Sequence, residues 1–172
     1  KQIIIATKDG RAVRFKETDV REVARNSIGV RGINIKNSEV VGMQIANAPY
    51  LLTVTEKGYG KRTPVNEYRL ISRGGSGVTN IKITGKNGKV ITIKVVDEKD
   101  ELMLISKNGV IIRTPVKGIS VIGRNTQGVR IMNLEEGDSL ATVEKILSEE
   151  NVLENKQEEF KPDENEDNFS NT

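Results

Sequence analysis

The sequence contains no cysteine and no histidine. Those two absences remove thiol chemistry, a disulfide framework, the usual zinc sites and any Ser-His-Asp triad. The missing cysteine also fits a reducing cytosol. Tryptophan is absent too, and aromatics make up only 3% of the chain. A single-strand nucleic-acid platform built on stacked rings is therefore disfavoured, as is a WD40 propeller with its Gly-His and Trp-Asp signature. No apolar run approaches the roughly 20 residues of a membrane helix, and no signal-peptide pattern opens the chain. The first residue is Lys1 rather than Met, which reads as a piece of something longer.

What remains is a chain of 172 residues with 35% hydrophobic side chains and 16 glycines, enough for a modest core spread over short elements. Its net charge of +3 hides an asymmetry. From Ser148 onward nine acidic residues face two lysines, a net of −7, which leaves +10 on residues 1–147. Such a basic body is either a solvated surface or the footprint of a polyanionic partner. The segment 148–172 has few apolar residues and is expected to be an acidic, disordered tail. One expectation is that it competes with a polyanion for the basic body; the other is that it only confers solubility.

A repeat organises the body. Three stretches align: Ile3–Gln44, Leu51–Val96 and Leu102–Ile146. Each opens with a short apolar strand and a tight turn, Thr7-Lys8-Asp9-Gly10, Thr55-Glu56-Lys57-Gly58 and Ser106-Lys107-Asn108-Gly109. Asp-Gly and Asn-Gly are hairpin signals, because glycine enters positive φ without steric cost. Four residues past each glycine stands an arginine: Arg14, Arg62, Arg113. A second glycine follows the first by 19 residues in every repeat (Gly29, Gly77, Gly128), with an arginine four residues before it: Arg25, Arg73, Arg124. Alternating apolar pairs come next, Ile33/Ile35, Ile81/Ile83 and Met132/Leu134, with the period of a half-buried strand. A closing strand is expected at Val40–Gln44, Val90–Val96 and Leu140–Ile146.

Each unit thus reads as about four short antiparallel strands, and repeat steps of 48 and 51 residues suit a propeller-like blade. The fold class is all-β. The expected divisions are blades at 1–48, 49–98 and 99–147, followed by the tail at 148–172.

Several motifs are set aside. Gly58-Tyr59-Gly60-Lys61-Arg62-Thr63 lacks the first glycine of a phosphate loop and has Arg62 where Ser or Thr should follow the lysine. Asp163–Asp167 has a calcium-loop cadence but no glycine at Asn168. Arg73-Gly74-Gly75-Ser76-Gly77 falls inside the repeat and reads as a turn rather than an RNA-binding segment.

Basic residues on a repeated β scaffold are the remaining signal. Regularly spaced cations can neutralise successive phosphates of a bent duplex without reading bases. The candidates are Lys8, Arg14, Arg25, Lys57, Lys61, Arg62, Arg73, Lys107, Arg113, Lys117, Arg124 and Arg130. For the six repeated arginines a second reading stays open: each pins a turn by hydrogen bonds to carbonyls or carboxylates. It weighs more for Arg25, Arg73 and Arg124, beside the Gly-Val step, than for Arg14, Arg62 and Arg113. Simple solvent-facing phosphate contact fits Lys8, Lys57, Lys61, Lys107, Lys117 and Arg130 best.

Gly123-Arg124-Asn125-Thr126-Gln127-Gly128-Val129-Arg130 is similar to the signature in the final blade of DNA gyrase A C-terminal domains, within the type IIA topoisomerase family. Leu102–Ser106 with Ile111–Pro115 resembles the start of that blade, Ser72–Gly77 the penultimate blade, and Ile5–Gly10 with Val13–Phe15 and Asp19–Arg21 the blade before it. Ala24 stands where the family usually carries glycine.

The resemblance implies a β-pinwheel of four-stranded antiparallel blades that wraps double-stranded DNA around a basic perimeter. By that wrapping an ATP-dependent enzyme introduces negative supercoils. It further implies that the catalytic tyrosine lies outside this chain, so that Tyr50, Tyr59 and Tyr68 carry no catalytic role. On the same resemblance no cofactor is expected in the chain, with ATP and Mg2+ belonging to the parent complex. Partners engaged through other domains are the gyrase B subunit, together with a second A subunit; no membrane partner is expected. The implied setting is the bacterial cytoplasm and nucleoid. The glutamine- and arginine-rich box of the first blade is not in this sequence. The corresponding domain of topoisomerase IV therefore stays as an alternative, with a protein-interaction propeller as a second.

Overall fold

A computed structural model describes residues 1–146; the expected acidic tail lies outside them. The described residues form eleven strands and three short 3-10 turns. Among them no helix is long and apolar enough to cross a membrane.

The first repeat supplies β1 (Gln2–Thr7), β2 (Arg11–Lys16) and β3 (Val40–Ile45). The second supplies β4 (Tyr50–Thr55), β5 (Tyr59–Pro64), β6 (Val78–Thr79) and β7 (Val90–Val96). The third supplies β8 (Glu101–Ser106), β9 (Ile111–Pro115), β10 (Val129–Arg130) and β11 (Leu140–Ile146). The closing strands β3, β7 and β11 coincide with the expected closing segments Val40–Gln44, Val90–Val96 and Leu140–Ile146 to within a residue. Each bulges once against its neighbour, at Val41, Ile91 and Ala141, the same place in all three sheets. A bulge increases local twist, so the three sheets depart from flatness alike.

The sheets do not coincide with the repeats. Their strand orders are β3-β1-β2-β6, β10-β5-β4-β7 and β11-β8-β9. The short strand at each Gly-Val step therefore leaves its own repeat and completes the sheet before it. Val78 pairs with Ala12, and Val129 with Gly60. The cause lies just upstream. Pro64 and the 3-10 turn Val65–Glu67 carry the chain off the edge of β5, and Pro115 with Val116–Gly118 does the same after β9.

The exchanged strand is short because one carbonyl collects two donors where it ends. Asn80 N and Ile81 N both bond the Gly10 oxygen, at 2.8 and 3.2 Å. Ile131 N and Met132 N repeat this on Gly58, also at 2.8 and 3.2 Å. The alternation at Ile81/Ile83 and Met132/Leu134 thus marks a packed loop rather than a longer strand. In the first repeat the matching stretch around Val30 forms no strand among the described residues.

Most of the core lies between sheets, and a third cluster of Ile5, Val13, Phe15 and Ile33 lies on the first sheet. Ile4, Ala6, Leu51, Tyr68, Ile93 and Val95 fill the first junction, and Leu52, Val54, Leu102, Leu104, Met132 and Val143 the second. The middle sheet is covered on both faces, so β4 is buried from Leu51 to Thr55 without alternation. The third sheet is covered on one face, and β8 alternates strictly. In the first sheet β1 is likewise buried from Ile4 to Thr7, because Ile33 packs with Ile5, Val13 and Phe15 on its other face.

Candidate nucleic-acid interface

The candidate basic residues separate into two groups by what their charge touches. One group is used up inside the fold. Arg14 donates from Nη1 to the carbonyls of Val65 (2.9 Å) and Tyr68 (3.1 Å), and from Nε to Gln2 Oε1 (2.7 Å). Arg62 repeats the arrangement one sheet on, from Nε to Ile119 O (2.7 Å) and from Nη2 to Lys117 O (3.2 Å). Its Nη1 meets Glu98 at 3.2 Å, and its guanidinium lies 4.9 Å from the Tyr50 ring centre. Both arginines reach forward to the 3-10 turn of the next repeat.

Arg73 and Arg124 reach backward. Arg73 Nη1 bonds Arg31 O (3.1 Å) and its Nε bonds Asp19 O (2.9 Å), while Arg124 Nη1 bonds Thr79 O (3.0 Å). Arg31 and Thr79 hold the same place, two residues past Gly29 and Gly77. The arginine spacing in the sequence thus encodes a two-way clasp between consecutive repeats.

Lys61 belongs to the same internal group. It is fully buried, and Nζ donates to Thr63 Oγ1 (2.8 Å) and Gly123 O (2.9 Å). Burial lowers its pKa from 10.5 to about 8, with Glu67 opposing the shift and Arg124 adding to it. Beside it Tyr68 and Thr53 both donate to Asn80 Oδ1, at 2.6 and 3.0 Å, and burial pushes the Tyr68 phenol upward.

The second group faces solvent. Lys8, Lys57 and Lys107 occupy the same hairpin turn in successive sheets, β1–β2, β4–β5 and β8–β9. Lys57 and Lys107 are exposed and Lys8 is half-buried. Lys8 pairs with Glu39 at 3.0 Å, and Lys57 Nζ donates to Gly85 O at 2.6 Å. Both contacts sit at the surface, where such pairs contribute little and exchange readily for other partners.

Arg130 is exposed beside Tyr59, its guanidinium 5.4 Å from the ring centre and Nη2 donating to the phenol oxygen at 3.2 Å. That hydrogen bond holds the Tyr59 pKa below its ordinary value, with the Arg130 and Lys86 charges adding to it. Lys57, Tyr59, Lys86 and Arg130 line one recess, together with Asp138 and Glu135. Lys117 and Arg25 are exposed. Arg113, the third-repeat counterpart of Arg14 and Arg62, is exposed and among the described residues pairs with Glu101 alone.

Among the exposed cations not singled out from the sequence are Arg31, Lys82, Lys86 and Lys89. They fall off the repeat's alignment. Three of them crowd the loop between Asn80 and Val90 around Gly85 and Gly88, which is the signal that could have found them. Arg11 was missed too. It holds the exchanged strand through Ser76 O (2.6 Å) and Gly77 O (2.8 Å).

Repeat-built sheets that lend a strand to their predecessor, with basic hairpin turns facing outward, define a propeller-like array of the β-pinwheel kind. The family model for the DNA gyrase C-terminal domain, beta-propeller, matches residues 1–47, 49–97 and 100–146. The chain belongs to that family.

Among curated relatives, it is 45% identical over 148 residues to the DNA gyrase A protein of Haloquadratum walsbyi, covering 84% of this chain and 17% of that protein. It is 43% identical over 152 residues to the DNA gyrase A protein of Staphylococcus epidermidis, covering 86% and 17%. The chain therefore spans about a sixth of the length of these relatives. A solved DNA gyrase A C-terminal domain superposes with a TM-score of 0.80 at 33% identity, covering 86% of this chain and 51% of the other. The C-terminal domain of a DNA topoisomerase IV gives a TM-score of 0.80 at 21% identity, covering 92% and 51%; at that identity the likeness concerns the fold alone.

Proposed function

We propose that this chain binds and bends duplex DNA along its exposed hairpin turns, as the DNA-wrapping module of a DNA gyrase. The observation that carries the reading is the recurrence of Lys8, Lys57 and Lys107 on one turn of three successive sheets, while Arg14, Arg62, Arg73, Arg124 and Lys61 are spent holding those sheets together. A duplex passing over these turns meets a cation at each step. Lys86 and Arg130 widen the second contact, and Lys117, Arg25 and Arg113 are further exposed positions. Contacts of this kind engage phosphates and carry no base information. Bending a duplex of a few turns costs several kcal/mol, which repeated phosphate contacts offset.

Within this reading the chemistry belongs to the parent enzyme. A second A subunit, the gyrase B subunit, ATP and Mg2+ act through other domains on the cytoplasmic nucleoid. This chain supplies the bent DNA that strand passage turns into negative supercoils.

Titrating a duplex of mixed sequence at two salt concentrations tests the proposal. Affinity that falls steeply with salt and varies little with sequence supports it. Absence of duplex affinity at low salt, with capture of a protein partner, favours the protein-interaction propeller.

A further inference from the structure

The loops that lead into the three closing strands differ in charge. Residues 34–39 carry Lys36 against Glu39, and residues 133–139 carry Glu135, Glu136 and Asp138 with no cation. The matching stretch of the second repeat, 82–89, carries Lys82, Lys86 and Lys89 with no acidic residue. All three lysines are exposed, and among the described residues none of them pairs with a carboxylate.

Like charges this close in sequence repel one another, so an ordered loop needs ties that offset the repulsion. Asn87 supplies them. It is fully buried, and its Nδ2 donates to the carbonyls of Lys82 and Gln127, both at 2.9 Å. Its Oδ1 accepts from Thr84 N at 2.8 Å and from Thr84 Oγ1 at 3.1 Å. The hydrogen-bonding capacity of the side chain is thereby filled. Two neighbouring segments hold the loop's ends. Lys82 N donates to Thr126 O at 2.8 Å in the third repeat, and Glu56 N donates to Lys89 O at 2.9 Å from the β4–β5 turn.

Val90 pairs with Thr55, which puts the loop at the same end of the middle sheet as Lys57. Lys86 also lines the recess that contains Lys57, Tyr59 and Arg130.

We propose that this loop is the principal phosphate anchor of the array, with Asn87 as its positioning residue. The inference rests on the DNA-binding reading and adds to it which repeat grips the duplex most tightly. A duplex crossing the second repeat meets Lys57, Lys86 and Arg130 together, with Lys82 and Lys89 at the two ends of the loop. At the third repeat the turn that carries Lys107 also carries a carboxylate, since Asn108 N donates to Asp138 Oδ1 at 3.2 Å, and phosphates gain less there. Asn87 itself touches no phosphate. It fixes the loop before the duplex arrives and so lowers the ordering cost of binding.

Titrating a mixed-sequence duplex into variants of the whole chain at several salt concentrations tests both parts. Replacing Lys82, Lys86 and Lys89 together by Ala should weaken binding at least tenfold at low salt and make the salt slope shallower by about 2 to 3. Lys1, Lys16 and Lys99 lie at the opposite ends of the strands; replacing those three by Ala removes the same charge and should change affinity less than twofold. Asn87→Ala keeps every lysine and should weaken binding at least fivefold, yet add less than twofold in the background that lacks the loop lysines, because residues acting through one another are not additive. Thr84→Val removes only the hydroxyl contacts to Asn87 and Gln127. It should give a smaller loss of the same kind, and it decides the matter where Asn87→Ala fails to fold. Equal losses in the two lysine triples overturn the anchor. A folded Asn87→Ala or Thr84→Val chain with a lowered unfolding midpoint and unchanged duplex affinity overturns the positioning role. Affinity retained without the loop lysines overturns this proposal alone, whereas no duplex affinity in the unmodified chain overturns the DNA-binding reading with it.

Discussion

Arg62 Nε donates to the carbonyl of Ile119 at 2.7 Å across a boundary between two repeats, and Arg62 is only 4% exposed. A guanidinium held in this way is the clasp of the array. It donates to two carbonyls at a 3-10 turn of the next repeat, and its planar fork suits several acceptors at once.

Arg62→Ala is therefore expected to destabilise the chain by about 3 kcal/mol, the scale for removing one member of a buried charged network. Arg62→Lys should recover little, because an ammonium cannot serve three acceptors in one plane. Arg113→Ala, at the same repeat position but paired only at the surface, should change stability by less than about 1 kcal/mol. Urea unfolding of the three variants checks this, and equal losses at Arg62 and Arg113 would contradict the clasp.

Close approach at the glycines gives a second contrast. Gly29→Ala places a side chain at φ +83° in open space and should cost about 1–2 kcal/mol from the left-handed backbone alone. Gly128→Ala combines φ +79° with an approach of 2.9 Å to Gly60 O and should cost roughly 2 kcal/mol more, since the backbone of the exchanged strand must shift. Thermal melts at low protein concentration compare the two.

Lys61 makes stability depend on alkaline pH. Its folded pKa of about 8 lies below the ordinary 10.5, so between those values the unfolded chain binds more protons than the folded one. Stability must then rise as pH increases through that window, by a total on the order of 3 kcal/mol. Below pH 8 both states are protonated and this contribution is flat. Lys61→Met should remove the rise; if denaturation midpoints still climb between pH 8 and 10 in that variant, another group is responsible.

Much of the fold could be read from the sequence because the signals are local. The repeat alignment located β3, β7 and β11 as closing strands, and the Gly10, Gly58 and Gly109 turns located the hairpins. The strand exchange could not be read, since the spacing of Val78 from Gly58 is the same whichever sheet Val78 joins. Proximity of Pro64 and Pro115 to the departure points is visible only afterwards.

The fate of the cations was only half legible. Recurrence marked Arg14, Arg62, Arg73 and Arg124 as important but left pinning and phosphate contact both open, and only the carbonyls facing them decide. The greater weight given to pinning at Arg73 and Arg124 than at Arg14 and Arg62 does not match their contacts, since all four clasp a neighbouring repeat. Lys61 is the sharpest departure. Adjacent strand residues point to opposite faces, so a solvent face next to Arg62 was the natural expectation. In the middle sheet both faces are covered, and Lys61 is buried along with Arg62.

The division between clasping and DNA-facing cations is tested most directly by the salt dependence of duplex affinity. For the unmodified chain log K should fall linearly with log salt concentration, with a slope of about −0.9 for each phosphate neutralised. Replacing Lys8, Lys57 and Lys107 together by Ala should make that slope shallower by about 2 to 3 while leaving the unfolding midpoint nearly unchanged. An unaltered slope in a folded triple variant would contradict that division.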